Sequence, residues 1–217
     1  MSTRPERARN LRRMRREAQA LGALVTGFSG TLAVQIGVPE VDYLRETRYA
    51  GILRADVETP AAMLRTRTDA LPLATACADL VLLAHVLDES PAPAGILAEC
   101  ARILRGEGRL VIVARRPFAL SAWTQWPTAA IGGGRFSGCR QLRTLAEEAG
   151  LVWRGGAGFA PRGWGRNRSA SCPRLGASSF AALAVKRVAG MTVLKPAWSD
   201  GRERRRKPVL QGQEHAG

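Results

Sequence analysis

Two uninterrupted apolar runs, separated by one amphipathic stretch, constrain the fold of this chain more than any other feature. Residues 79–84, DLVLLA, and residues 109–114, RLVIVA, lack the alternation of a half-exposed strand, so they predict strands covered on both faces. Between them, residues 94–105 place their apolar side chains on one helical stripe, and Gly106 and Gly108 end that helix. A strand, a helix and a strand joined by short links predict a right-handed crossover in a parallel sheet.

Other periodic segments extend this unit into one α/β domain. An arginine-rich N-terminal helix is predicted to end between Gly22 and Gly30, and an amphipathic helix is predicted at 140–150. Further strands are predicted at 31–37, 62–68, 151–154 and 180–188. The stretch between the last two strands is rich in Gly, Arg and Ser and is predicted to be irregular.

The length and composition indicate a single globular domain with basic ends. A chain of 217 residues with 46% hydrophobic residues can bury one substantial core. The predicted division is a basic helix at 1–22, the folded domain at 23–198 and a basic flexible tail at 199–217. The uncharged stretch after the first helix contains Gln35 and several Gly, Ser and Thr residues, which argues against a membrane span.

The formal net charge of +15 has two interpretations. Of the 33 basic residues, 30 are arginine and three are lysine, a bias that a GC-rich genome produces without selection for binding. Alternatively, the segments RARNLRRMRRE at 7–17 and RERRRK at 202–207 make weak contact with nucleic-acid phosphates.

The cysteines favour neither a metal site nor a disulfide framework. Cys77, Cys100, Cys139 and Cys172 lack CxxC spacing, and the chain has only two histidines, His85 and His215. This distribution predicts no metal and a reducing, cytoplasmic setting.

Two polar residues mark the predicted ligand site. Asp69 follows the predicted strand at 62–68, and His85 follows the strand at 79–84. Because ligands of open parallel sheets bind beyond the carboxyl ends of the strands, both side chains are expected to face one crevice for a small polar ligand.

Residues 68–118 carry a resemblance to a known family. The acidic residue, the Leu-Pro turn, the DLV strand and a helix ending in RILRGEGRLVI resemble class I S-adenosylmethionine-dependent methyltransferases of the type 11 kind. The chain is also similar to the YafS-like proteobacterial branch of that superfamily. The segments that carry this second resemblance are VQIG at 34–37, HVL at 85–87, GGRFSG at 133–138 and AVKRVAGM at 184–191.

The resemblance implies S-adenosyl-L-methionine as the cofactor and assigns residues to its parts. It implies Asp69, Ala70 and Leu71 for the adenine, Asp56 for the ribose, and Gly37, Ala84 and His85 for the methionine end. An Asp that merely opens a turn and a His that merely packs are the alternatives.

The chain departs from the family in its first crossover. GVPEVD at 37–42 replaces the usual glycine-rich loop, and the interval from Gly37 to Asp69 is short for two helices and a strand. The implied fold is therefore a Rossmann-like, doubly wound, mostly parallel sheet of seven strands with a shortened first crossover.

The resemblance implies methyl transfer from the cofactor to an unidentified acceptor, with His85 as the candidate catalytic base. The aromatic segment FALSAWTQWP at 118–127 is a candidate cover for that acceptor. Two alternatives stay open, namely a degenerate methyltransferase-fold interaction module and an RNA-associated protein.

Overall fold

The computed structural model of the protein describes residues 4–57, 59–88, 90–115, 138–160, 163–167 and 179–188. These residues form three helices and one eight-stranded sheet. The helices are α1 (Arg4–Val25), α2 (Pro93–Ile103) and α3 (Cys139–Glu148). The strands are β1 (Ser29–Ile36), β2 (Arg48–Asp56), β3 (Leu64–Arg65), β4 (Ala78–Ala84), β5 (Leu104–Arg115), β6 (Leu151–Ala160), β7 (Gly163–Asn167) and β8 (Ser179–Lys186).

The sheet has the strand order β3-β2-β1-β4-β5-β8-β6-β7. Strands β1 to β5 pair in parallel, whereas β8 is antiparallel to both β5 and β6. The predicted α/β class and the mostly parallel, Rossmann-like sheet are confirmed. The eighth strand is β7, which pairs with β6 as an antiparallel hairpin at the edge.

Helices cover both faces of the sheet, as in a doubly wound fold. Alternation along β4 sends Val81 and Leu83 into the cluster that contains α2 and α3, whereas Leu80 and Leu82 enter the cluster that contains α1. All four side chains are fully buried, which explains why this stretch of sequence is apolar without interruption.

The first crossover is shortened, as predicted. Residues 37–47 connect β1 to the parallel strand β2 through turns and contain no helix. Val41, Tyr43 and Leu44 of this connection are buried against the α1 face of the sheet. A packed loop therefore covers the sheet where a helix usually would.

Three predicted strands have different bounds in the structure. The strand predicted at 109–114 begins at Leu104, so Gly106 and Gly108 lie within β5 and do not end helix α2, which ends at Ile103. The strand predicted at 62–68 shortens to Leu64–Arg65, because this edge position has one neighbouring strand and its side chains remain exposed or half-buried. The strand predicted at 151–154 continues to Ala160 and bulges between Trp153 and Gly155. The glycines of this segment have no side chains, so the segment lacks the apolar pattern by which a strand is predicted.

The prediction of an irregular stretch after residue 154 is wrong for residues 155–160 and 163–167, which are strand. The predicted basic tail at 199–217 and the aromatic segment at 118–127 lie outside the described residues. Within the described part of the chain, no helix is long and apolar enough to cross a membrane.

Candidate functional site

The residues predicted to bind a cofactor lie at the carboxyl ends of successive parallel strands. Gly37 follows β1, Asp56 ends β2, and residues 69–71 follow β3. Ala84 ends β4 and His85 follows it. Strand ends that share one edge of a parallel sheet form the usual location of a ligand site in this class of fold.

A buried glutamine shapes the loop that follows β1. The side-chain Nε2 of Gln35 donates to the carbonyl oxygens of Gly37, Val38 and Val41, at 3.4, 3.2 and 2.8 Å. Its Oε1 accepts from the backbone N–H of Tyr43 at 3.1 Å. Gln35 is fully buried and satisfied at both ends, so it fixes the conformation of the whole loop.

Gly37 is required by the packing of the chain against itself. It has φ +82°, and a Cβ there would lie 2.5 Å from both the carbonyl oxygen of Ala84 and Cγ2 of Val86. Its N–H donates to the carbonyl oxygen of Ala55 at 2.9 Å. The space and the donor that a glycine loop normally offers to a ligand are therefore used within the protein.

Asp56 has one carboxylate oxygen engaged by a local turn. Its Oδ2 accepts from the backbone N–H of Thr59 at 3.2 Å. The residue is half-buried at the end of β2.

Asp69 is exposed and held by a neighbouring arginine. Both carboxylate oxygens accept from Arg67, at 3.0 and 2.8 Å, and this pairing holds the pKa of Asp69 below its usual value. The next backbone N–H, that of Ala70, reaches the carbonyl oxygen of Arg67 only at 3.4 Å. A carboxylate beside a weakly engaged N–H matches the acceptor and donor that an adenine edge requires.

The backbone N–H of Leu71 already has a strong partner. Glu99 Oε1 on α2 accepts from it at 2.7 Å. Arg102 binds the same carboxylate oxygen at 2.7 Å and donates to the carbonyl oxygens of Leu71 and Leu73 at 3.1 and 2.9 Å. Two residues of α2 thus anchor the loop after β3, and Leu71 itself is buried in the core.

His85 is buried between two carboxylates. Its Nε2 lies 2.8 Å from Oε2 of Glu17 on α1, and its Nδ1 lies 2.9 Å from Oδ2 of Asp88. Burial acts to lower the pKa of His85, but the hydrogen bonds to Asp88 and Glu17 and their charges outweigh burial and raise it to about 9. At neutral pH the ring is an imidazolium that donates from both nitrogens.

The orientation of His85 breaks the alternation of β4. Leu82 and Ala84 already face α1, so a continuing strand would turn residue 85 to the other face. Instead, His85 has φ +59° and its side chain meets Glu17 on α1. A left-handed conformation at a bulky residue costs energy and persists where surrounding contacts determine it.

Glu17 is the centre of this cluster. Its carboxylate accepts from the hydroxyl groups of Tyr43 at 3.3 Å and of Ser179, in addition to His85. Burial acts to raise the pKa of Glu17, but the hydrogen bond and charge of His85 outweigh burial and hold it below its usual value. Burial and the nearby Glu17 charge raise the pKa of the Tyr43 hydroxyl.

Asp88 closes the other end of the cluster. Its Oδ1 accepts from the backbone N–H of Arg115 at 2.9 Å, and its Oδ2 lies 3.0 Å from Nε of the same arginine. The cluster of Glu17, Tyr43, His85, Asp88, Arg115 and Ser179 therefore joins α1, the β1–β2 loop, β4, β5 and β8. We call it the buried charge cluster.

The structure does not bring Asp69 and His85 to one crevice, which corrects that expectation. His85 faces α1, whereas a Cβ built on Gly95 of α2 would lie 4.0 Å from Cβ of Asp69. The two side chains share the carboxyl edge of the sheet but occupy opposite sides of it.

Sequence reasoning missed Glu17, Gln35 and Ser179. One signal was available for Glu17, which lies four residues before Leu21 and eight before Val25 on the apolar stripe of α1. A carboxylate on a buried stripe indicates an internal partner, because an unpaired buried charge is strongly unfavourable.

A separate apolar cleft of about 210 Å³ lies on the α1 face, and none of the predicted site residues lines it. Its lining residues are Leu21, Leu24, Val25, Phe28, Val111, Arg154, Gly155, Gly156, Ala157, Ala181, Ala182 and Leu183. Among the described residues, no group of three or more His, Cys, Asp or Glu side chains could hold a metal ion.

Comparison with known proteins identifies the fold. Residues 36–112, from the end of β1 into β5, match the family described as a methyltransferase domain. The protein has a class I methyltransferase fold. No curated protein matches the sequence.

Solved structures agree with this methyltransferase fold at low sequence identity. One similar chain comes from the complex between the Haloferax volcanii Trm112 methyltransferase activator and a methyltransferase. It is 16% identical, with a TM-score of 0.63 over 81% of this chain and 91% of that one. A SAM-dependent methyltransferase of Thermotoga maritima is also 16% identical, with a TM-score of 0.60 over 79% and 88%. The [4+2]-cyclase SpnF is 14% identical, with a TM-score of 0.58 over 79% and 80%. Because one of these proteins is a cyclase, the shared fold does not determine the reaction.

The methyltransferase fold allows the fit of S-adenosylmethionine to be judged residue by residue. Asp56 and Asp69 offer carboxylate oxygens at the ends of neighbouring strands, and the N–H of Ala70 is weakly engaged. These groups suit the nucleoside half of the cofactor. At the methionine end, Gly37 packs against the chain itself, so the fit there depends on other residues.

Proposed function

We propose that the protein is an S-adenosylmethionine-dependent methyltransferase that acts on an unidentified acceptor. The observation that carries the proposal is the placement of Asp56 and Asp69 at the carboxyl ends of successive strands within the matched domain. Asp56 would accept from the ribose hydroxyls. Asp69 and the N–H of Ala70 would hold the adenine edge.

When bound, the cofactor supplies a methyl group already activated by its sulfonium. The chain then has to hold donor and acceptor in line and exclude water, and that contribution can supply much of the rate acceleration. In this proposal the loop after β1, fixed by Gln35, and the loop after β3, fixed by Glu99 and Arg102, provide rigid walls.

His85 would be a positioning residue in this reaction. Both of its ring nitrogens donate to carboxylates, and its pKa of about 9 keeps it protonated at neutral pH, so it has no free lone pair with which to accept a proton. Its contribution would be to hold α1 against the carboxyl edge through Glu17.

The proposal extends to the YafS-like branch and to a cytoplasmic setting. Two segments that resemble the branch, VQIG and HVL, contain the buried residues Gln35 and His85, whose hydrogen bonds organise the edge. The free thiols of Cys77 and Cys100 support a reducing compartment.

A second candidate function is a methyltransferase-fold module that does not use the cofactor. Two observations favour it, namely the packing of Gly37 against Ala84 and Val86 and the occupation of the Leu71 N–H by Glu99. Such a module would keep the fold for interaction with a partner.

Calorimetry with S-adenosylhomocysteine separates the two candidates. The methyltransferase should bind it, and Asp69→Asn should weaken binding by about tenfold or more, since a hydrogen bond to a charged group contributes about 1.5–3 kcal/mol. Glu147→Gln, which removes an exposed carboxylate on α3, is the matched control and should bind like the unmodified protein. Absence of heat at near-millimolar ligand would decide for the cofactor-free module.

A further inference from the structure

The solvent face of α1 carries a row of arginines. Arg9, Arg12 and Arg16 are exposed and are spaced three and four residues apart, so they lie on one side of the helix. None of the three has a hydrogen bond or an ion pair within the described residues. We call these three side chains the arginine row.

Acidic residues of α1 do not balance this row. The sequence of α1 contains seven arginines and only two acidic residues, Glu6 and Glu17, and Glu17 is buried in the charge cluster. Arg45, Arg65 and Arg140 are likewise exposed on other elements, whereas several further arginines there form ion pairs. These pairs are Arg54–Asp42, Arg67–Asp69, Arg102–Glu99, Arg105–Asp79, Arg143–Glu147 and Arg187–Glu107.

We propose that the arginine row binds the phosphodiester backbone of a single-stranded nucleic acid. The planar guanidinium fork donates two hydrogen bonds to one phosphate, and arginine is well suited to this contact. From Arg9 to Arg16 the helix rises about 10 Å at 1.5 Å per residue. A row of this length lets the three guanidinium groups meet separate phosphates along one strand.

The partner is a nucleic acid rather than a membrane surface. A helix that binds a membrane buries its apolar face among the lipids. In α1 that face is already used, because Leu21 and Val25 are buried in the core and Leu11 and Met14 pack against it. The arginine row is left without apolar residues that could insert into a bilayer.

The arginine row also lies beside the carboxyl edge of the sheet. Arg16 directly precedes Glu17, whose carboxylate meets His85 after β4 and Ser179 at the start of β8. A nucleic-acid strand held by the row would therefore pass along the α1 side of this edge, the side opposite Asp69. The binding itself needs no cofactor and does not depend on methyl transfer.

Fluorescence anisotropy with a labelled 12-nucleotide RNA, measured without cofactor over a series of salt concentrations, tests the proposal. The variant R9Q/R12Q/R16Q removes the row. The matched control R45Q/R65Q/R140Q removes three exposed arginines on separate elements and changes the net charge equally. Circular dichroism of both variants verifies that the fold is retained.

The row variant should reduce the slope of log affinity against log salt by about 2, since each phosphate contact on a single strand contributes about 0.7 to that slope. The control variant should keep most of the slope. Equal losses in both variants, or no binding by the unmodified protein at low salt, would overturn the proposal.

Two further arms identify the ligand. DNA of the same sequence should bind with similar affinity and lose it in the row variant, because the contact is with the backbone. Vesicles of phosphatidylserine and phosphatidylcholine should show no loss specific to the row variant. If the row variant loses affinity for the vesicles but not for the RNA, the arginine row is a membrane contact and the proposal is wrong.

Discussion

Glu17 on α1 and His85 after β4 meet at 2.8 Å although 68 positions separate them in the chain. The side chains are 1% and 5% exposed, so this ion pair is almost fully removed from water. Because the same carboxylate also accepts from Tyr43 and Ser179, one residue of the N-terminal helix connects it to three other parts of the fold.

Removal of one side chain of the Glu17–His85 pair should therefore lower the free energy of unfolding much more than removal of both. In His85→Ala the Glu17 charge stays buried without its main partner, which should lower the free energy of unfolding by about 3–5 kcal/mol. The double variant E17L/H85L leaves no buried charge on either residue and should be distinctly more stable than His85→Ala. Urea unfolding followed by circular dichroism measures both.

The control for this prediction is Arg143→Ala, which breaks the exposed pair between Arg143 and Glu147 and should cost about 0–1 kcal/mol. Similar losses for His85→Ala and Arg143→Ala would contradict a stabilising role for the buried pair.

The stability of the protein should fall as the pH rises above neutrality. The pKa of His85 is about 9 in the folded state against an ordinary value of 6.5, so the folded state holds the proton more tightly. The stabilisation is fully present below pH 6.5 and is lost as the pH rises through about 9, with an upper size of roughly 3 kcal/mol.

Thermal unfolding from pH 6 to pH 10 measures this loss, and E17L/H85L should show a flatter profile over the same range. The depressed pKa of Glu17 acts in the opposite direction. Its stabilisation is present above the ordinary value of 4.5 and is lost as the pH falls through the folded pKa. If the unmodified protein and the double variant gave parallel profiles, His85 would not be the titrating group.

Gly37→Ala should destabilise the protein through both conformation and contact. The backbone at Gly37 has φ +82°, which costs about 1–2 kcal/mol for a residue with a Cβ, and the added methyl group would lie 2.5 Å from two atoms. The contact should add about 1–3 kcal/mol, as overpacking does.

Gly150 provides a matched comparison for that prediction. Its φ is +78°, but an added Cβ would meet no atom within 4 Å, so Gly150→Ala isolates the conformational cost. Chemical denaturation of both variants gives the contact cost by difference. Equal losses would mean that the space beside Gly37 is open, as a ligand-binding glycine loop requires.

The sequence predicted the centre of the fold well because its signals are local. Apolar runs predict β4 and most of β5, and a helical stripe predicts α2, all within residues 79–114. Gly106 and Gly108, which were predicted to end the helix, lie within β5 instead. The placement of Asp69 and His85 after strands followed from the strands predicted at 62–68 and 79–84. No strand was predicted at β2, so the position of Asp56 at a strand end did not follow from the sequence pattern.

The buried charge cluster was not predictable in the same way. Glu17 and Ser179 are 162 positions apart, and neither lies in a local pattern that names the other as a partner. Likewise, the glycines at 155–158 suppress the strand signal of β6, whereas the structure pairs them with Phe180 to Leu183 of β8. These features depend on pairing between residues that are far apart in the sequence. No short segment of the sequence shows which distant residues will pair.

Arg67→Ala tests whether Asp69 is available to the proposed cofactor. Arg67 now holds both oxygens of the Asp69 carboxylate at 2.8 and 3.0 Å on the exposed surface. Removal of the arginine frees the carboxylate, so S-adenosylhomocysteine should bind up to several-fold more tightly, with a smaller gain at high salt because exposed ion pairs are screened. Titration calorimetry measures the change, and tighter binding by Arg65→Ala as well would assign the effect to general charge.

Gln35→Leu should loosen the loop between β1 and β2 without emptying the core. Leucine fills nearly the same volume, but it leaves the N–H of Tyr43 and the carbonyl groups of Gly37 and Val41 without the Gln35 side chain, whereas the Val38 carbonyl keeps the N–H of Val41. Buried polar groups left unsatisfied cost about 1–3 kcal/mol each, and relaxation of the loop to reach water would reduce the sum.

Amide hydrogen exchange should show faster exchange at Val41 and Tyr43 in the Gln35→Leu variant. The N–H of Leu71, which Glu99 holds on the other face of the sheet, should be unaffected. If exchange rose equally at Leu71, Gln35 would support the whole sheet rather than this loop.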